Sequence, residues 1–390
     1  MKPIIAVTTG DPFGIGPEIS LKAAASPEVL AVCRPLLIGD REHLLRLARI
    51  LPGGVGADPG AWPEVARSGF SEWGTKQGDA TMVESWSEGA AIYDMADLPD
   101  VSIPGVSSGE AAAPSAEGGR AAVRYVKQSV ALVRTGVAAA LATAPFSKTA
   151  LRLGGHDYPG HTELLADLCG VERGEVAMMF VAPGLKVALQ TVHLGLKEAI
   201  ASLSAPAIEA KIHLVRAEHL RWFGSDPRIA LCALNPHGGE EGMFGQEERE
   251  ILAPAVEAAR REGAEARGPF PADTIFGRAA RGEFDVVLAL FHDQATIAVK
   301  GRSFGAAVNV TLGLPMLRTS ADHGTAFDLA GRGIADHGSL LQAILLAAQL
   351  TVRPETPPSA PPAPPASARP ETPAPGRSGG QSDGRSDGRS

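Results

Sequence analysis

The sequence predicts an α/β protein built on a mainly parallel sheet, and three observations predict it. Short β-branched or apolar runs alternate with helical patterns along most of the 390 residues. One helical run carries Val123, Val126, Val130 and Val133 on a single stripe. Three apolar runs end the same way: Val187–Val192 leads into His193, Ile229–Leu234 into Asn235, Pro236 and His237, and Val286–Phe291 into His292 and Asp293. Open α/β sheets form their ligand crevice at the carboxyl ends of strands, so this placement lets distant histidines converge.

In chain order, strands are expected at Ile4–Thr8, Pro35–Ile38, Ala138–Thr143, Val176–Val181, Lys186–Val192, Arg228–Leu234 and Asp285–Phe291. Each is a short apolar run of strand length. Helices are expected at Pro17–Ala25, where Pro suits the first helical position, and at Arg41–Ile50, Glu117–Thr135 and Thr162–Cys169. Further helices are expected at Ala205–Phe223, Gln246–Glu262 and Ser339–Leu350. Residues 52–88 are rich in Gly and poor in periodicity, and receive no assignment. Ten of the 31 Pro lie between Arg353 and Ser390, a stretch without Leu, Ile, Val, Phe, Tyr, Trp, Met or Cys. Such a segment cannot bury enough surface to offset its ordering entropy. One folded unit is therefore expected over residues 1–352, and a solvated Pro/Gly/Ser-rich tail over 353–390.

A net charge of −8 and the lack of a basic stripe exclude general binding to nucleic-acid backbones. Cys33, Cys169 and Cys232 are an odd number, widely spaced within apolar stretches, and read as free thiols of a reducing compartment. The start of the chain has only a four-residue apolar run, too short for a signal peptide. No uncharged apolar run reaches membrane-spanning length. A soluble, cytoplasmic protein is the expectation.

Three neutral imidazoles at strand ends make a natural divalent-metal site with an open position, although each histidine alone reads equally as a hydrogen-bonded strand cap. Gly10–Glu18 joins the first strand to the first helix. It is either a turn that closes on an anion at a helix N-terminus or a purely structural turn. It is not a Walker A loop, and Ile19 stands where G-x-G-x-x-G needs its third Gly. Thr143–Lys148 and Pro159–Glu163 are two more loop-to-helix junctions, with Thr162 as a helix cap. Lys300, Asn309 and Arg318 lie in a polar-rich segment, as a cation clamp for carboxylate or phosphate or as exposed surface.

The stretches TTGDPFGIGPE, TAPFSK, YPGHTELLA, KVALQTVHL, ALNPHGGEEGMFGQEE, GPFPADT, HDQATIAVK and AVNVTLGLPMLRTSADHGTAFDLAGRGIA together resemble the PdxA family of 4-hydroxythreonine-4-phosphate dehydrogenases. The resemblance implies an isocitrate/isopropylmalate dehydrogenase-like fold, with two interleaved α/β/α subdomains around a cleft and a non-Rossmann NAD site. It implies His193, His237 and His292 as ligands of one divalent metal, Zn, Mg or Co. It implies substrate contacts at His161, Thr162, Lys300, Asn309 and Arg318, and a polar partner at Asp273. NAD, or NADP, belongs at the stretch containing His323, Gly324, Thr325 and Asp328. Lys300 is the first candidate for proton transfer and Asp273 the second. The implied assembly is a homodimer whose active sites draw metal ligands from both subunits.

The implied reaction oxidises 4-phosphooxy-L-threonine and decarboxylates the β-keto acid to 3-amino-2-oxopropyl phosphate, in pyridoxal phosphate biosynthesis. The same motifs serve D-threonate or D-erythronate 4-phosphate, and a His-only metal hydrolase and a non-catalytic scaffold are alternatives of other classes. Two positions depart from the family pattern. Ala295 stands where Gly is usual and is expected to restrict the backbone beside His292; Gly238 stands where Ala is usual.

Overall fold

The computed structural model describes residues 1–51, 54–56, 58–65, 86, 88–96, 98, 112–303 and 305–352. The expectations for residues 353–390 and for most of 52–88 lie outside the described residues. Twelve strands form one sheet: β1 Ile4–Thr8, β2 Arg34–Gly39, β3 Glu64–Val65, β4 Ala91–Asp94, β5 Ala140–Thr143, β6 Ala177–Ala182, β7 Leu185–Leu189, β8 Ile229–Cys232, β9 Ala266–Phe270, β10 Val286–Ala289, β11 Val308–Leu312 and β12 Arg318–Ser320. Their order is β3-β4-β2-β1-β5-β12-β11-β6-β7-β10-β8-β9.

The helices are α1 Gly16–Ala25, α2 Pro27–Val32, α3 Arg41–Ile50, α4 Ala116–Arg134, α5 Lys148–Leu153, α6 His161–Cys169, α7 Leu196–Ala201, α8 Ala205–Phe223, α9 Ala253–Arg261, α10 Ala272–Ala280, α11 His292–Ser303 and α12 Gly338–Thr351. None of them is long and apolar enough to cross a membrane. Cys33, Cys169 and Cys232 are free thiols, the first and last buried and pushed up to about 12 by desolvation.

The sheet is parallel in two blocks, β3 to β12 and β7 to β9, as alternation of strand and helix predicts. Between the blocks runs an antiparallel seam, in which β12 pairs with β11, β11 with β6, and β6 with β7. On one face a continuous apolar layer crosses the seam, through Ala142, Val310, Leu312, Met179 and Ala188, and packs under α1, α8, α9 and α12. On the other face the core is split in two. One part places Leu36, Ile38 and Leu141 under α4 and α6; the other places Phe180, Val187 and Val287 under α10 and α11. The split lies over the seam, and the reason is the pleat. Residues two apart share a face, so Thr143, Ser320, Asn309 and Phe180 form one cross-strand row, and Leu141, Arg318, Thr311 and Met178 the next.

Asp11, in the loop after β1, is wholly buried; its Oδ1 accepts the Phe13 N–H at 3.1 Å and its Oδ2 has no partner. Desolvation lifts this carboxyl from 3.8 to about 6, against the Phe13 bond. The folded protein thus holds a proton there that the unfolded chain releases, so stability falls as pH rises from about 4 to about 6. Asp11→Asn is expected to raise stability at pH 7.5 by roughly 2 kcal/mol and to converge on the parent near pH 4, read by urea unfolding at the two pH values.

Ala295 is the fourth residue of α11, fully buried in the apolar core of the second block. Its backbone is helical, so the expected restriction on φ has no consequence there. Gly238 does need its freedom. After β8 the chain passes through His237, Gly238, Gly239, Glu240 and Glu241, all at positive φ (55°, 73°, 85°, 44° and 56°). For the three non-glycine residues this costs about 1–2 kcal/mol each. Glu248 braces the turn, its carboxylate accepting the Leu234 and Asn235 N–H groups at 2.9 and 2.7 Å and the Asn235 amide at 2.8 Å.

Candidate active site

A cavity of about 430 Å³ lies over the split. Its floor is the seam: Met178, Phe180, Asn309, Arg318 and Ser320. One wall comes from the loops after β5 and before α6, with Phe146, Lys148, His161, Thr162 and Glu163. The other comes from the second block, with His193, His292 and Lys300, and the rim carries Asp322, His323 and Gly324.

Arg318 decides what the cavity can hold. Its guanidinium is 2% exposed and, among the described residues, makes no ion pair with a carboxylate. Nη1 donates to the Thr311 hydroxyl at 2.9 Å and Nη2 to the Thr143 hydroxyl at 2.7 Å, while Nε has no partner. Desolvation, partly opposed by the charge of Glu163, lowers its pKa to about 9. Arginine does not give up its proton at neutral pH, so the charge stays and calls for an anion.

The unmet polar atoms around it agree. His161 Nε2, Glu163 Oε2, Asn309 Oδ1 and His323 Nε2 are all sealed from solvent without a hydrogen bond. The His161 ring stacks on Phe146 at 3.5 Å, and desolvation followed by the Arg318 charge holds it well below the usual histidine range. A neutral imidazole so placed offers a hydrogen bond at little electrostatic cost. Thr162 lies in the first turn of α6, where backbone N–H groups favour negative charge. Lys300 Nζ lies 3.2 Å from Asp322 Oδ2.

The histidines are only partly gathered. Strands β7, β10 and β8 are parallel neighbours, so His193, His292 and His237 follow the same end of the sheet. His193 and His292 face each other with ring centroids 6.0 Å apart, and both also line a smaller recess with Leu194 and Leu196. Desolvation and then the nearby Lys148 charge hold His193 below its usual range, which keeps the ring in its metal-binding form. His237 sits on the left-handed turn, outside the cavity lining. Among the described residues, the compact group of possible metal ligands is instead Glu209, His213 and Glu262. There His213 Nε2, on α8, lies 3.2 Å from Glu262 Oε2 at the end of α9.

Asp273 is also elsewhere. It lines an apolar groove of about 550 Å³ between α10 and α11, with Phe276, Asp293 and Ile297. Lys148 and Glu163 line the cavity although neither was among the expected site residues. Both stand in quoted motifs, TAPFSK and YPGHTELLA, and charge in a loop-to-helix junction was the available signal.

The loop carrying His323, Gly324, Thr325 and Asp328 runs from the end of β12 to α12. Thr325 O accepts the Ile15 N–H at 2.9 Å, so the first glycine loop contacts this segment directly.

Fold and site together define a class: an α/β protein whose cleft, laid over a sheet seam, sets a buried arginine beside paired histidines. The family described as "Pyridoxal phosphate biosynthetic protein PdxA" matches residues 31–347. The chain belongs to this family. It is 43% identical over 352 residues, 90% of this chain and 98% of the relative, to the D-threonate 4-phosphate dehydrogenase of Cupriavidus necator. It is 42% identical over 350 residues, 90% of this chain and 96% of the relative, to the 4-hydroxythreonine-4-phosphate dehydrogenase of Geobacter metallireducens. A crystal structure of a 4-hydroxythreonine-4-phosphate dehydrogenase from Burkholderia phymatum matches 90% of this chain and 98% of its own, at 41% identity and a TM-score of 0.72.

Proposed function

We propose that the protein is a dehydrogenase that uses NAD and a divalent metal to oxidise and decarboxylate 4-phosphooxy-L-threonine. The observation that carries this reading is Arg318, a buried guanidinium without a carboxylate on the floor of a cavity sized for a small ligand. D-threonate 4-phosphate is the second reading, favoured by the 43% identical Cupriavidus relative.

The substrate phosphate is assigned to Arg318, Asn309, His161 and the first turn of α6. Held there, it orients the remainder of the molecule toward His193 and His292, and this positioning lowers the entropic part of the barrier. The imidazoles of His193 and His292 fit a divalent metal, and His237 of the partner subunit would complete the set. The orphaned His323 Nε2 at the rim fits a further polar ligand, so His323–Asp328 is assigned to the nicotinamide cofactor. When bound, the metal supplies Lewis acidity at the substrate hydroxyl and NAD accepts hydride. Lys300, paired with Asp322, is the residue we place at proton transfer. Asp273 has no place in the cavity of the same chain.

A homodimer with shared sites is part of the proposal. Its support is the exposed apolar surface beside the histidine pair: Leu194, Leu196, Ile200 and, on α11, Ile297, which is 73% exposed. Such surface favours burial against a second copy.

The test is NADH formation by the purified full chain with Mg, Zn or Co, offered each 4-phosphorylated hydroxy acid with NAD and then NADP. Reduction of NAD is expected with 4-phosphooxy-L-threonine. Turnover confined to D-threonate 4-phosphate selects the second reading. Metal-dependent phosphoester hydrolysis without any NADH would make the protein a hydrolase instead.

A further inference from the structure

The segment from His323 to Ala335 contains no helix or strand, only turns, bends and irregular backbone. Its downstream end is held by two side chains from the far end of the sequence. Glu18 and Lys22 stand one turn apart on α1, with Lys22 Nζ 2.7 Å from Glu18 Oε1. The Glu18 carboxylate is wholly buried and accepts the Gly333 N–H at 3.2 Å and the Ala335 N–H at 2.9 Å. Lys22 donates to the carbonyls of the same two residues, at 2.9 and 3.2 Å. One ion pair thus satisfies the donors and acceptors of Gly333 and Ala335 together, as a neighbouring strand would.

The upstream end is fixed by the glycine loop. Ile15 N–H donates to Thr325 O, and a Cβ on Gly14 would meet that same carbonyl oxygen at 2.9 Å. The glycine loop is itself braced by His43, whose Nε2 lies 2.8 Å from Pro12 O. Between the two anchors Ala326 is held at φ 38°, a conformation a non-glycine residue keeps only where its surroundings fix it.

We propose that Glu18 and Lys22 are positioning residues of the cofactor site, setting the 323–335 segment in the form that receives NAD. This rests on the assignment of His323–Asp328 to the cofactor. A segment ordered in advance does not draw its ordering entropy from the binding energy, so loosening the clamp falls on the dinucleotide and spares the phosphate pocket built on the seam.

The full chain is compared with Glu18→Gln, Lys22→Met, Lys22→Arg and Asp328→Ala. Four quantities are read: the NAD dissociation constant by calorimetry, KM for NAD and for the hydroxy acid, the melting temperature, and hydrogen exchange over 323–335 without ligand. Glu18→Gln and Lys22→Met are expected to weaken NAD binding and raise its KM about tenfold or more. KM for the hydroxy acid and kcat at saturating NAD should stay within about threefold of the parent. Exchange over 323–335 should speed up, and Lys22→Arg should recover most of the NAD affinity. If Asp328→Ala weakens NAD binding while Glu18→Gln and Lys22→Met do not, the clamp has no positioning role and the cofactor assignment survives. NAD binding that is absent from the parent, or untouched by Asp328→Ala, overturns the assignment and the clamp with it. Equal losses for NAD and hydroxy acid in both clamp variants, alongside a lower melting temperature, reduce the pair to a structural one and overturn the proposal.

Discussion

Arg318→Met is expected to lower kcat/KM by about two to three orders of magnitude while leaving the melting temperature unchanged or slightly higher. The two halves of this result have one cause. The guanidinium sits on the sheet floor against two threonine hydroxyls, and the charge of Glu163 offsets its desolvation only in part. Met fills the volume without the charge, which relieves that cost. The phosphate we assign there, however, loses a charge-assisted contact at a buried position, worth about 3–4 kcal/mol. Arg318→Lys keeps the charge but cannot span both hydroxyls, and should recover about a tenth of the parental activity. A variant that loses activity together with its fold would assign Arg318 to the scaffold.

Mixing two inactive variants should restore activity. His237→Ala and His193→Ala are each expected to lose at least three orders of magnitude in kcat, because each leaves every metal site one ligand short. In a shared-site dimer formed from one of each, one site joins His193 and His292 of one subunit to His237 of the other, all intact. The second site collects both substitutions. With random re-pairing, half the dimers are mixed and carry one working site, so about a quarter of parental activity returns. The assay follows NADH after the two proteins are unfolded together and refolded, with each variant refolded alone as control. Mixtures as inactive as their parents would place all three histidines within one chain. The geometry sets this expectation, since His193 and His292 are neighbours while His237 stands on its own turn outside the cavity.

Much of the frame was legible in the residues, and the exceptions have physical reasons. Ile4–Thr8, Arg41–Ile50 and Ala205–Phe223 fall where the apolar run and the helical patterns placed them. The strands Arg318–Ser320 and Ala266–Phe270 were not foreseen. The first is three residues long and polar on both faces; the second contains a Gly-Pro pair and joins its neighbour through a bulge. The antiparallel seam had no local signal, because strand direction depends on partners up to 135 residues away, as Leu312 is from Ala177 in β6. The expected strand into His292 stops at Ala289, and the histidine opens a helix instead. That choice is made by Gln294, whose amide bonds Leu290 N–H and Ala233 O across the strand ends.

The candidate site was legible where chemistry conflicted with burial. Arg318 and Asn309 sit at strand positions an apolar core rejects, and the structure places both on the cavity floor. The helix start at His161 and Thr162 was read from the sequence, but the cap is Gly160 and Thr162 lies inside the first turn, where its side chain caps nothing. Lys148 and Glu163 were missed, because a charged residue in a junction is ordinarily solvated; Lys148 is indeed exposed, and only Glu163 has a carboxylate oxygen sealed by the folded cavity.

The seam has a bearing on how such proteins diverge. Of the residues we assign to the phosphate, Arg318 and Asn309 belong to interior strands, each paired on both sides, where a change disturbs two neighbours at once. The residues we place against the rest of the substrate come from loops and helix ends, which tolerate exchange. A fixed anchor with replaceable sides lets a lineage move among acids that share a terminal phosphate without rebuilding its grip. Such a division is compatible with relatives of two different substrate names standing at nearly equal identity to this chain, 43% and 42%. Substrate preference should therefore be sought in the wall residues, and an enzyme already accustomed to one phosphorylated acid needs few steps to adopt another.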